Sequence, residues 1–393
     1  MLRLFTFTII VLAAIVLVTG LGIVAARVLR QVRQRKRAAL AAGPRRALLA
    51  FVADHGEEGS HDLVAIPQDA WTAVAPGALR LLGKLRGEAH AALVSVFLRR
   101  GTGRAALRDL RSRSRVRRAR AAQVLGDLEV RQAVPELCRL LTDRHAEVRV
   151  VAVRALGRIG DPTAAWRLIT SLDRSDPVPS LLVTHTLVQL GPDAEVTLSA
   201  ALDHPQARVR AVCLDALGLL GAAGSVGRVA RVLREDTVLD VRVAAAANLG
   251  RLGARSAIEP LIGALTAARP APLGAAAARA LGDLGAPSAV PALAALLDDE
   301  YRVAHAAAYA LGRLGRTGQD ALRSVLAAEA AEMVAAGRGS HALPSSAASH
   351  AREALALAAV SAGSGSGSGS GAGSGFGAGL AAAAVAEQVA MGA

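Results

Sequence analysis

Apolar positions along most of this chain recur at helical spacing, and they do so in a phrase that repeats. The clearest copies read VRVVAVRALGRIGDPTAAWRLITSL from Val148, VRAVCLDALGLLGAAGSVGRVARVL from Val209 and VRVAAAANLGRLGARSAIEPLIGAL from Val241. Within the first copy Val148, Ala152, Ala155 and Leu156 share one face of an amphipathic helix. The leucine that closes this first helix returns at Leu125, Leu156, Leu187, Leu217, Leu249, Leu281 and Leu311, at intervals of 31, 31, 30, 32, 32 and 30 residues. A fixed period of this size predicts stacked supersecondary units, each a helix pair too short to bury its apolar face alone. Gly157 and Gly160 end the first helix, glycine being the usual residue of a left-handed turn. Pro162, Pro260, Pro287 and Pro291 lie near the opening turn of the second helix, where a missing N–H costs nothing. An acidic turn at Asp143, Asp203, Asp236 or Asp298 leads to the next unit. The expected fold is all-α: a right-handed α-solenoid of stacked antiparallel helix pairs.

A different pattern opens the chain. Leu4 to Ala26 is 23 residues without a charge, roughly 34 Å as a helix at 1.5 Å per residue, which matches a bilayer core. It is longer than the apolar stretch of a cleaved signal peptide, and predicts one N-terminal transmembrane helix. Arg27, Arg30, Arg33, Arg35, Lys36 and Arg37 follow it, with only Arg3 before it. By the positive-inside rule the N-terminus faces outward and the repeats lie in the cytoplasm, at the cell membrane. The same six residues read either as that topology signal or as contacts to anionic headgroups. The chain then divides into an anchor (1–28), a basic juxtamembrane segment (29–46), a helical N-terminal cap (47–117), the repeat array (118–360) and a Gly/Ser-rich flexible tail (361–393).

Composition sharpens this. Apolar residues make up 52 % of the chain and aromatics 2 %, which suits closely packed Ala, Leu and Val helices. Arginine carries almost all the positive charge, which with the alanine excess points to a GC-rich, bacterial genome. The net charge of +14 suggests nucleic acid until it is located: beyond Arg120 there are 24 arginines against 25 acidic residues. The array is neutral and no nucleic-acid partner is expected. Arg99 to Arg120 holds ten arginines against Asp109 alone, either a solvated cap face or an electrostatic dock for the membrane surface or an acidic partner. Cys138 and Cys213 sit in apolar helical phrases and read as small hydrophobes. His55, His61 and Asp62 match no metal spacing and read as part of an exposed loop from Asp54 to Asp62. No nucleophile elbow, phosphate loop or zinc spacing is present; no catalytic residue, cofactor or metal is expected, and the protein reads as a non-enzyme.

Val-Arg, then Ala-Leu-Gly-x-Leu/Ile-Gly, then a Leu-rich helix: over seven units this pattern resembles the HEAT-like repeats, in particular the short bacterial form also found in phycobilin lyases. The resemblance implies a ladder of hydrogen bonds pairing Asp143 with Arg149, Asp203 with Arg210 and Asp236 with Arg242. It implies breaks where Asp176-Pro177-Val178-Pro179 and Arg269-Pro270-Ala271-Pro272 replace Val-Arg. It also implies that second helices line a concave face, which makes Glu136, Arg139, Arg167, Arg228, Arg231 and Arg234 the candidate partner contacts. The function expected is a membrane-tethered scaffold or adaptor that binds a partner protein, as an accessory to a membrane enzyme such as a glycosyltransferase. A lyase-type, chromophore-handling role and a nucleic-acid role are the alternatives. The scarcity of rings opposes the first, and the neutral array opposes the second.

Overall fold

The structure, a computed structural model, describes residues 42–51, 60–174, 177–266, 270–335 and 345–364, with isolated positions at 20–21, 27–28 and 31. Apart from positions 20 and 21, the expected transmembrane helix Leu4–Ala26 lies outside the described residues, as do Arg30, Arg33, Arg35, Lys36, Arg37, His55 and the tail beyond 364. Among the described residues no helix is long and apolar enough to cross a membrane. They are all-helical, with no strand among them. They form two compact units, Met1–Val232 and Leu233–Ala393.

The first unit begins with α1 (42–51), α2 (Ser60–Ala65), α3 (Gln68–Leu82), α4 (Gly87–Arg99) and α5 (Thr102–Asp109). His61 and Asp62 therefore belong to a helix rather than to the loop expected there. Phe51, Leu63, Trp71, Leu93 and Phe97 bury one core, which Leu128 of the first repeat joins. Trp71 and Phe97 stand 5.0 Å apart, ring to ring. Arg100 closes this cap. Its guanidinium donates to the carbonyls of Leu63 (3.0 Å), Val64 (2.8 Å) and Ile66 (2.7 Å) and lies 4.5 Å over the Trp71 ring. One arginine of the basic stretch thus satisfies the open carbonyls at the end of α2.

The repeats follow as α6 (Arg115–Asp127) and α7 (Val134–Leu140), α8 (Ala146–Ile159) and α9 (Ala165–Thr170), α10 (Ser180–Gln189) and α11 (Glu195–Ala200), then α12 (Ala207–Leu220) and α13 (Val226–Glu235). The chain passes into the second unit within α13. There it continues as α14 (Leu239–Leu252) and α15 (Ile258–Thr266), α16 (Ala271–Asp283) and α17 (Val290–Ala294), α18 (Tyr301–Arg313) and α19 (Gly315–Ala335), closing with α20 (Ser346–Ser364). All seven periodic leucines are fully buried. Pro162, Pro192 and Pro287 each open a three-residue 3-10 turn ahead of the second helix. Pro179 starts α10 late, leaving 10 residues where α8 and α12 have 14.

Where a repeat carries both glycines, the two do different work, whereas the sequence suggested helix termination for both. The second does terminate: Gly160 takes φ +66° and its N–H returns to the Leu156 carbonyl. The first lies inside the helix against the next one. A Cβ on Gly126 would stand 2.7 Å from the Ala155 Cα, one on Gly250 2.9 Å from the Ala280 Cα, and one on Gly282 2.9 Å from the Ala310 Cα. In Ala-Leu-Gly, then, the alanine faces the glycine of the preceding unit, the leucine fills the core and the glycine receives the following alanine.

The polar ladder also differs from expectation. The Asp143 carboxylate is held by Arg118, whose Nε and Nη2 donate to Oδ2 and Oδ1 at 2.7 and 2.9 Å. Both side chains are nearly buried, 11 % and 7 % exposed. Arg149 donates instead to the backbone carbonyl of Asp143 at 2.9 Å. Arg210 donates to the carbonyls of His204 and Pro205, and Arg242 to that of Leu233. Asp143 and Asp236 accept the N–H groups of His145 and Val238, tightening their turns. A second row links successive units at the end of the first helices, Arg158 to Asp127 and Arg313 to Asp283. Arg149 and Arg210 thus fall back on carbonyls of the turn just before their own helix, whereas Arg242 reaches a carbonyl of α13.

Gly282→Ala should destabilise the protein by about 1–3 kcal/mol through overpacking. Gly263→Ala, in a helix interior where a Cβ meets nothing within 4 Å, should stabilise it by about 0.5–1 kcal/mol; urea unfolding compares the two. Asp143→Ala should cost about 3–5 kcal/mol, because it strands a buried guanidinium. Burial raises the Asp143 carboxyl, but the Arg118 and His145 hydrogen bonds more than offset it and hold the group below its ordinary value. The stabilisation is therefore present above the unfolded-state value of about 3.9 and lost as pH falls through the folded one. Acid unfolding of Asp143→Asn should show a shallower loss of stability over that window.

Candidate functional site

The second helices of the first unit keep their outer positions out of the core. α7, α9 and α11 bury Val134 and Leu137, Ala165 and Leu168, and Leu198. The positions between these face outward, and one of them forms a row: Pro135, Trp166 and Val196 are equivalent in successive repeats, and all three are exposed. Trp166 is 50 % exposed and Val196 80 %. Trp166 was missed in the sequence; only its place in this row marks it.

Across α7 and α9 lies a cavity of about 370 Å³, lined by Val134, Pro135, Cys138, Arg139, Thr142, Thr163 and Arg167; Trp166 precedes Arg167 in the chain but does not line the cavity. Of the six candidate contacts, Arg139 and Arg167 are brought together here. Glu136 is partly covered by ion pairs from Arg111 (2.7 Å) and from Arg139. Arg228 reaches back to the Ser199 carbonyl (3.3 Å) and to Asp203 (3.5 Å). Arg228, Arg231 and Arg234 are exposed on α13, whose Val226, Val229, Ala230, Val232 and Leu233 are buried. Arg234 falls in the second unit, 3.9 Å from Glu235. Of the six membrane-surface residues, Arg27 is described and exposed. In the basic stretch, Arg100 and Arg118 serve the fold while Arg99, Arg104, Arg108, Arg113, Arg115, Arg117 and Arg120 are exposed.

The arrangement offers shape and charge rather than reaction chemistry: an indole, two guanidiniums and an apolar floor. HEAT repeats are found over residues 104–187, and PBS lyase HEAT-like repeats over 241–266 and 274–299. Comparison with curated proteins returns no match. The karyopherin Kap121p bound to the SUMO protease Ulp1p is similar over 81 % of this chain, at 14 % identity and a TM-score of 0.50, and this chain spans 41 % of its length. The CpcE–CpcF complex of phycocyanin lyase from Nostoc sp. PCC7120 matches over 56 % of this chain and 92 % of its own, at 24 % identity and a TM-score of 0.29. An engineered protein matches over 80 % and 98 %, at 18 % identity and a TM-score of 0.37. The karyopherin likeness shows the HEAT fold alone.

Cys138 reports on the electrostatics of the cavity. Burial pushes its thiol up to about 11, against a smaller pull downward from the Arg167 charge. At neutral pH the thiol is protonated and unreactive. Its alkylation by iodoacetamide, followed by peptide mass spectrometry, should accelerate about tenfold per pH unit from pH 7 to 10, since only the thiolate attacks. Arg167→Ala should slow it at every pH. Cys213, fully buried and pushed to about 12, should lag behind.

Proposed function

We propose that this protein is a membrane-tethered, non-catalytic scaffold whose HEAT-repeat array binds a partner protein through the outer faces of its second helices. The observation that carries the reading is the half-exposed Trp166 on α9, next in the chain to Arg167, which lines a cavity together with Arg139. Tryptophan and arginine dominate the energetics of protein interfaces, and half of Trp166 is left exposed. A solenoid of HEAT repeats is suited to such binding because its second helices repeat one surface at a fixed step.

The tether rests on the 23 uncharged residues from Leu4 to Ala26 and the basic run after them. With the N-terminus outside, the array stands at the cytoplasmic face. Its partner there is a membrane enzyme or a protein bound to one, a glycosyltransferase being one such class. A chromophore lyase would want rings around its cleft, whereas the close ring pair Trp71–Phe97 is sealed inside the cap.

The test is crosslinking and pull-down from detergent extracts, with the full chain and with a version cut after residue 46. The full chain should recover a partner that the anchor alone does not. Recovery of the same proteins by the anchor alone would sink the scaffold reading. Trp166→Ala should weaken capture about 30-fold, as an interface hot spot of about 2 kcal/mol requires, while leaving the far-ultraviolet circular dichroism unchanged.

A further inference from the structure

At the end of the second unit the last first helix, α18, meets the closing helix α20. The helices approach closely there: a Cβ on Gly312 would lie 3.2 Å from the Ala354 carbonyl oxygen. Just along the same contact, His305 of α18 faces His350 and Glu353 of α20. One nitrogen of each imidazole and a carboxylate oxygen all lie within 4.8 Å of one another. His305 Nδ1 and Glu353 Oε2 are 3.8 Å apart.

We propose that His305, His350 and Glu353 form a site for a zinc-class divalent transition metal, which clips α20 onto α18 and leaves one coordination position open. Two imidazoles and a carboxylate are a donor set that zinc accepts, with ligand bonds of about 2.0–2.2 Å and a fourth position for water. On a tetrahedron such bonds put donor atoms about 3.3–3.6 Å apart. The His305–Glu353 pair is already near that separation. The remaining adjustment falls on His305 and Glu353, whose side chains are 44 % and 54 % exposed and free to turn.

His350 is the fixed point. It is 5 % exposed, so packing fixes where its ring stands. Tyr301, one turn before His305, packs its ring 5.9 Å from His305 and 5.0 Å from His350. Among the described residues Glu353 is paired with His305 and with no arginine or lysine, the adjacent Arg352 being committed to Glu329 at 3.0 Å. His350 and Glu353, one helical turn apart on α20, project to the same side.

The site deepens no part of the scaffold reading and stands without it. Its function is to secure the closing helix, since α20 follows residues 336–344 and covers the open end of the last repeat.

Full-length protein, purified in detergent with a tag lacking histidine and stripped with a chelator, is titrated with Zn²⁺ against a chromophoric competitor and with Co²⁺ by visible spectroscopy. One equivalent of Zn²⁺ should bind per chain, the Co²⁺ form should show the intense d–d bands of a low-coordinate site, and Zn²⁺ should raise the midpoint of thermal unfolding. Mg²⁺ should do none of these. His305→Gln and Glu353→Gln, both at exposed side chains, should keep the native helical content and weaken Zn²⁺ binding at least tenfold. His350→Asn should abolish it. Zn²⁺ binding that these variants leave unchanged, or its absence in the full-length protein, would overturn the proposal.

Discussion

The repeat array depends on how near one first helix can come to the next. Helix axes pack at about 8–10 Å, and the lower end is reached only where side chains at the crossing are small. The Gly126–Ala155, Gly250–Ala280 and Gly282–Ala310 crossings leave no room for even one added carbon. That closeness lets the seven periodic leucines be fully buried by helix pairs with scarcely any aromatic volume to contribute. It also explains the alanine content. Around such a seam a larger side chain has to be excluded, and alanine at the same time is the best helix former. Where the seam reaches Gly157, the neighbours are Thr186 and Gln189 instead of alanine. This is also the unit whose first helix is cut short by Pro179.

What was legible in the sequence follows from where the information lies. The leucine period, the helix pairs and the terminal glycines are properties of one segment read by itself, and they came through. The role of the first glycine did not, because the atom it makes room for is about one period further on. Nor did the partner of Asp143. Spacing alone offered Arg149, and the geometry chose Arg118, which reaches the carboxylate from the other side of the turn. Prolines were rightly placed near second-helix starts, yet the 3-10 turn they open is a matter of backbone geometry that composition does not encode. The aromatic shortage was real for the array, but its average hid the cap, where Phe51, Trp71 and Phe97 share one core.

The candidate sites were harder to read for a related reason. Arg139 and Arg167 were visible as charges on second helices; that they edge one cavity needs the stacking of α7 against the next unit. Trp166 drew no attention because a single ring in a long helical phrase is ordinary core material. His305 is far in sequence from His350 and Glu353, and a lone His and Glu three apart on a helix mark nothing, since α18 and α20 each supply only part of the set. The histidines that did draw attention, His55 and His61, were close in sequence, which is the cue that spacing rules reward.

Arginine shows most clearly why charge totals mislead here. Arg100 and Arg118 lie in the strongly basic stretch, yet both are consumed by the fold, one on the carbonyls ending α2 and one on a buried carboxylate. Arg158 and Arg313 join successive units end to end. A guanidinium with five donors can satisfy several carbonyls at once, and a lysine in the same places would leave some of them bare. The near-absence of lysine is therefore structurally consequential, whatever its genomic origin. Besides the exposed arginines of the basic stretch, described side chains that packing does not take up gather on the outer row of the second helices, around Trp166 and Arg167, and where α18 meets α20, around His305 and Glu353. A repeat leaves its chemistry where its own packing rule stops applying, on the faces no neighbour covers and at the end where no further unit follows.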